Sequence, residues 1–105
     1  MAKYMFKVSY SVEGMRGVLK EGAANRANFI EKMIADLGGR MEAFHFAFGE
    51  TDVFCIAEFP DEKTATAIAI AVGSSGVGRT ETVKLLSPEE IDAARQIQTG
   101  YRAPG

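Results

Sequence analysis

The chain has no tryptophan, one cysteine, one histidine and three prolines, and its longest uninterrupted apolar run is Ala67 to Val72. Each scarcity excludes something. A lone cysteine, Cys55, can form neither an internal disulfide nor a multi-thiolate metal site, which points to a reducing compartment. One His and one Cys supply no zinc ligand set, and the scattered acidic residues lack calcium-loop spacing, so no metal site is expected. The apolar run falls far short of the ~20 residues that cross a bilayer, and no export-type apolar region follows Lys3 and Lys7. Charge of one sign is also missing. Twelve Lys and Arg stand against fourteen Asp and Glu, a net charge of -2, so there is no footprint for gripping phosphate backbones and nucleic acid is not an expected partner. With 47% hydrophobic and 25% charged side chains, the expectation is one soluble, cytoplasmic domain over residues 1–105, with 99–105 as an extended tail and no membrane attachment or cofactor.

Hydrophobic spacing then orders the elements. Residues 3–11 place Tyr4, Phe6, Val8 and Tyr10 on one face, the two-residue period of a strand. From Met15 the period changes: Val18, Leu19, Ala23, Ile30, Met33, Ile34 and Leu37 recur at three and four up to Gly38-Gly39, predicting a long amphipathic helix with Gly22 as its candidate break. Segments 40–48 and 52–59, aromatic and β-branched, flank Gly49-Glu50-Thr51 and read as a hairpin. After Pro60-Asp61 an Ala/Ile-rich helix runs to about Val72, and residues 79–86 return to strand composition. Ser87-Pro88-Glu89-Glu90 then combines an N-cap Ser, a first-turn Pro and a Glu at the third position, starting a short helix to about Gln98.

The fold class is therefore α+β: a ferredoxin-like βαββαβ order with a four-stranded antiparallel sheet, two helices on one face and a short C-terminal helix. Both sheet faces carry apolar residues. Phe44, Phe46 and Phe48 share one parity of their segment, and Met41, Ala43 and Ala47 the other; Val53, Cys55 and Phe59 back onto Phe54 and Ile56. Two helices cover one face, and a bare apolar sheet face is not tolerated on a monomer, so a homodimer with sheet against sheet is expected. The alternative is a terminal helix folded across the open face. A third reading, higher oligomerisation through residues 65–72, follows from their apolar character on nearly every side.

Five segments, in order, resemble the GYD-domain family, small bacterial proteins placed among the dimeric α/β barrels. They are Lys3 to Tyr10 (Lys-Tyr-x-Phe-x-Val-Ser-Tyr), Gly17 to Gly22 (Gly-Val-Leu-Lys-Glu-Gly), Leu37 to Gly39, Phe46 to Glu50 (Phe-Ala-Phe-Gly-Glu) and Leu85 to Glu90 (Leu-Leu-Ser-Pro-Glu-Glu). The resemblance implies the fold and the dimer. It implies no activity, because the wider superfamily spans cofactor-free monooxygenases, isomerases, dehalogenase-like enzymes and small-ligand sensors. Where the family motif reads Gly-x-Tyr-Asp, this chain has Gly49-Glu50-Thr51-Asp52, so any role of that tyrosine is lost or moved.

Few residues carry candidate chemistry. His45 can titrate near neutral pH as a general base, against the plainer reading of a half-buried strand histidine. Asp52 is either a turn-stabilising acceptor of backbone N–H groups or a ligand contact. Arg26 falls on the apolar stripe of its helix, where a guanidinium must snorkel to water, pair with a carboxylate or meet an anionic ligand. Arg79 either pairs with Glu81 or Asp52 or faces a ligand, and Tyr10 offers a phenol to a pocket or packs as a strand tyrosine. Cys55 reads as an inert buried thiol. Gly73 to Thr80 imitates a phosphate-binding loop with Arg79 in place of the lysine, but a helix precedes it and a strand follows, the reverse of what phosphate binding needs.

Two functional expectations follow. The first is a binding homodimer enclosing a small, largely apolar cavity lined by Phe and Met, with Arg26, Arg79, Tyr10 and Asp52 as candidate ligand contacts. The second is a cofactor-independent enzyme of isomerase or monooxygenase type, with His45 as base and Arg26 or Arg79 stabilising an anion.

Overall fold

A computed structural model describes all 105 residues. Alternation of Tyr4, Phe6 and Val8 produces β1 (Ala2–Tyr10), which passes into α1 (Val12–Glu21) through the single residue Ser11. The Ser11 side chain accepts the Gly14 N–H at 3.0 Å, capping α1, and its hydroxyl donates to the Gly76 carbonyl at 2.9 Å. The strand therefore ends and the helix starts earlier than apolar spacing alone suggests. The expected long helix is two helices. Gly22, at φ 98°, separates α1 from α2 (Ala23–Asp36), a conformation that a side chain at that position would resist.

The hairpin follows as β2 (Arg40–Phe46) and β3 (Val53–Phe59), then α3 (Glu62–Ser74), capped by Asp61, and β4 (Gly78–Leu85). The four strands form one antiparallel sheet in the order β2-β3-β1-β4. The segment that imitates a phosphate loop is the end of α3 and its connector into β4.

Helices α2 and α3 cover one face, where Ile34, Val53, Ala57 and Phe59 are almost wholly enclosed and Tyr4, Phe6, Cys55 and Ile68 complete the core. Burying a side chain the size of Phe59 is worth about 1.5–3 kcal/mol. Phe6 meets Phe59 edge-on at 6.0 Å. One parity assignment needs correction. A bulge between Met41 and Ala43 pairs Met41 with Ala57, so Met41 joins the core face while Ala43 and His45 point the other way.

The opposite face is a set of cross-strand rows. Ala43, Ile56, Met5 and Val83 form an apolar row across all four strands, and Arg40, Glu58, Lys3 and Leu85 lie beside it. No element of the chain lies over it. The last helix, α4 (Pro88–Ala94), has the expected capping box but ends before Gln98, and residues 88–105 are all exposed. The radius of gyration is 16.6 Å with a long axis of 54 Å, against about 13 Å for a compact chain of this size. The terminal segment projects outward rather than folding back.

Candidate functional site

The sequence singled out Tyr10, Arg26, Asp52, Arg79 and His45, and the fold distributes them over three places. Tyr10 and Arg26 come together. Tyr10 is the last residue of β1 on the helix-facing parity, two beyond Val8, and Arg26 lies one turn before Ile30 on α2. Both line a hollow of about 140 Å³ beneath α1, whose wall is Gly14, Gly17 and Val18, with Glu13 and Glu21 at the rim. The half-buried Arg26 carries a loose ion pair, Nη1 to Glu21 Oε1 at 3.6 Å, and stacks over the Phe29 ring at 5.3 Å. Such a pair is worth little in water, whereas the aromatic face fixes the plane of the guanidinium. Burial raises the Tyr10 phenol above its usual pKa of 10.0; the Arg26 charge works against this, and the Asp52 and Glu21 carboxylates work with it. The phenol is thus protonated near neutral pH and available as a donor.

Glycine makes this hollow. Gly14 touches the Val77 carbonyl and the Tyr10 ring so closely that a methyl group has no room, which brings α1 down onto the sheet end. Gly17, one turn on, has nothing within 4 Å of where its Cβ would stand. A glycine in the middle of a helix costs about 0.5–1 kcal/mol relative to alanine, and here the empty position keeps the hollow open. Its place inside an amphipathic stretch was the visible signal, but apolar period and family resemblance alone assign Gly17 no structural role.

Deeper along the same strand and helix lies a recess of about 50 Å³, lined by Val8, Ile30, Met33, Cys55, Val72 and other apolar side chains, with Thr80 the one polar residue. Burial pushes the Cys55 thiol up to about 11, so it is a neutral wall group rather than a nucleophile.

Asp52 serves the frame. Its Oδ2 accepts the Tyr10 N–H at 2.7 Å, while its own N–H donates to the Val8 carbonyl at 2.9 Å, tying the hairpin turn to the end of β1. Arg79 is on the open face opposite Ser9, beside an open polar hollow of about 550 Å³ shared with Lys7, Glu50 and Glu81. Glu81 pairs with Lys7 at 3.8 Å, and Arg79 forms no ion pair. His45 is exposed on that same open face, opposite Phe54. The sheet separates His45 from Arg26, and two strands separate it from Arg79, so the chain does not bring His45 together with either arginine. Nowhere do three or more His, Cys, Asp or Glu side chains group to hold a metal ion, and no helix is long and apolar enough to cross a membrane.

The model of the GYD domain matches residues 4–94 of the chain. The chain belongs to the GYD domain family. The match takes in β1 from Tyr4, the whole of the other three strands and the hollow's whole lining. No curated protein and no solved structure matches the chain, so the family brings no assigned ligand or reaction, and the chemistry rests on the side chains themselves.

Proposed function

We propose that this GYD-domain protein is a homodimer, sheet against sheet, that binds a small and largely apolar molecule in a cleft of each protomer. The observation that carries the binding reading is the continuity of residue faces. Phe6, Val8 and Tyr10 follow one another on β1, and Ile34, Ile30 and Arg26 on α2, so an apolar recess and a hollow holding one phenol and one guanidinium are neighbours along the same two elements, with no lining residue in common. Apolar depth with a few placed polar groups is the usual make-up of a small-molecule site. A recess of about 50 Å³ and a hollow of about 140 Å³ limit the ligand to fragment size. At roughly 30 Å³ per water-sized atom group, the hollow alone takes about five heavy atoms. The dimer is supported by the apolar row Ala43, Ile56, Met5 and Val83, which the chain's own terminal helix leaves bare.

Light scattering and NMR test the two halves. The expected mass in solution is twice the 11.3 kDa of the chain, falling to the single-chain value when Ile56→Asp places a charge in the apolar row. A single-chain mass for the unaltered protein overturns the dimer. Cyclopentane, a purely apolar probe, is expected to shift amides of Ile30, Val72 and Val77; absence of any such shift, for it and for the polar probes below, overturns the cleft.

A further inference from the structure

We propose that the cleft selects an uncharged carbonyl compound, a short ketone, aldehyde or amide, over the carboxylate of the same size. This deepens the ligand-binding reading and rests on it. Two donors converge at the outer end of the cleft: the Tyr10 hydroxyl, protonated near neutral pH, and the Arg26 guanidinium, held in plane by Phe29 at 5.3 Å. The guanidinium can only donate, and the phenol, whose oxygen accepts from Arg26, still has its own proton to give, so together they suit a ligand oxygen with lone pairs. The charges around them decide which oxygen. Glu13 and Glu21 line the same hollow, and Asp52 is close enough to act on the Tyr10 phenol. Two carboxylates thus share the hollow with one guanidinium and a third acts on the phenol, so a ligand carboxylate would add to negative charge already in excess in a partly desolvated space. A neutral carbonyl takes both hydrogen bonds without that repulsion.

Arg26 also stays free enough to donate outward. It donates to the Tyr10 oxygen, while its contact with Glu21, 3.6 Å, is longer than a hydrogen bond, so the remaining guanidinium N–H groups can meet an incoming oxygen without breaking a tight pair. The missing side chain of Gly17 leaves the approach unobstructed. The carbon end then lies along Val18 and Val77 of the same hollow.

The test is a set of NMR titrations of the full chain with three probes of five or six heavy atoms, at constant ionic strength: 2-pentanone, butyrate and cyclopentane. The proposal expects 2-pentanone to shift the amides of Gly17, Val18, Arg26 and Val77 with an affinity at least tenfold above butyrate and several-fold above cyclopentane. Tyr10→Phe keeps the ring that packs on Gly14 and removes only the hydroxyl, so it should weaken 2-pentanone about fivefold and leave cyclopentane unchanged. Gly17→Leu should block all three. Equal binding of 2-pentanone and cyclopentane overturns the carbonyl preference while the apolar cleft stands, and tighter binding of butyrate overturns it in favour of an anion site. Silence from all three probes overturns the ligand-binding reading and this inference with it.

Discussion

Gly14 of α1 rests directly on the backbone carbonyl of Val77, with the Tyr10 ring beside it, and this contact sets how deeply the first helix seats on the sheet. Any Cβ at Gly14 would overlap the Val77 carbonyl, whereas a Cβ at Gly17 would meet nothing within 4 Å. The two helical glycines therefore respond in opposite directions. Gly14→Ala is expected to destabilise the protein by about 1–3 kcal/mol through forced displacement of α1. Gly17→Ala should stabilise it by about 0.5–1 kcal/mol, the helix-propensity gain. Urea denaturation of the two variants decides the matter, and a loss of stability in Gly17→Ala would show that the space beside it is not open.

Asp52 joins two chain segments that are far apart in sequence by accepting the Tyr10 N–H at 2.7 Å. Removing the acceptor leaves a partly buried donor unmet, so Asp52→Ala should cost about 1–3 kcal/mol. It should also loosen the end of β1 that carries the Tyr10 phenol. Faster amide exchange at Tyr10, with Phe6 unaffected, is the expected local signature.

How much of this was legible in the sequence depends on the range of the forces involved. Period-two alternation from Tyr4 to Tyr10 and the Ser87-Pro88-Glu89-Glu90 start are local, and both elements form where expected, although α4 ends at Ala94, short of Gln98. The Gly22 break was visible for the same reason. The bulge at Met41 and Ala43 was not, because it exists only relative to the partner strand β3. Arg26 announced itself as a charge on an apolar stripe, yet nothing local joined it to Tyr10, which is sixteen positions earlier and meets it only after α1 has turned back at Gly22. His45 was legible as a titratable group but not as one on the sheet face away from Arg26, since that depends on which parity the helices cover.

The capping box of α4 gives a prediction of a different kind. Ser87 Oγ accepts the Glu90 N–H at 3.1 Å, and Glu90 Oε1 accepts the Ser87 N–H at 3.0 Å. The Ser87 backbone N–H first, and the Ser87 hydroxyl after it, hold the Glu90 carboxyl below the ordinary carboxylate pKa. Its contribution is therefore present above the unfolded pKa and lost as pH falls through the folded value. Because residues 88–105 are all exposed, Ser87→Ala should fray α4, at about 1 kcal/mol of local helix stability, without moving the thermal midpoint of the core. Secondary chemical shifts over residues 88–94, measured beside the melting curve, separate the two effects.

Cys55 makes the alkaline limb of stability predictable. An unfolded thiol ionises near 9.0, and burial holds the folded one at about 11. Between those values the unfolded chain gives up a proton that the folded chain keeps, so rising pH favours unfolding by up to about 1.4 kcal/mol per pH unit. Below pH 9 this group has little effect. The raised Tyr10 phenol adds a slope of the same sign only above 10. Urea midpoints at pH 8 and pH 10 should differ clearly in the unaltered protein and much less in Cys55→Ala, and equal shifts in both would place the alkaline sensitivity elsewhere.

Tyr4 is 4% exposed, and its hydroxyl has no hydrogen-bond partner. The ring is well used, facing Phe59 at 6.3 Å within the core, but the oxygen loses its water on folding and gains nothing in return. Phenylalanine at this position keeps the aromatic contact and removes the desolvated group, so Tyr4→Phe should stabilise the fold by about 1 kcal/mol. For a domain of this size that corresponds to a rise of roughly 4–8 °C in Tm. Tyr4 is on the helix-covered face, opposite the apolar row assigned to the dimer, so dimerisation through that row cannot supply the missing acceptor. A drop in Tm on Tyr4→Phe would instead mean that the hydroxyl is bonded within the helix layer, to a trapped water or to a carbonyl brought closer by movement of a helix.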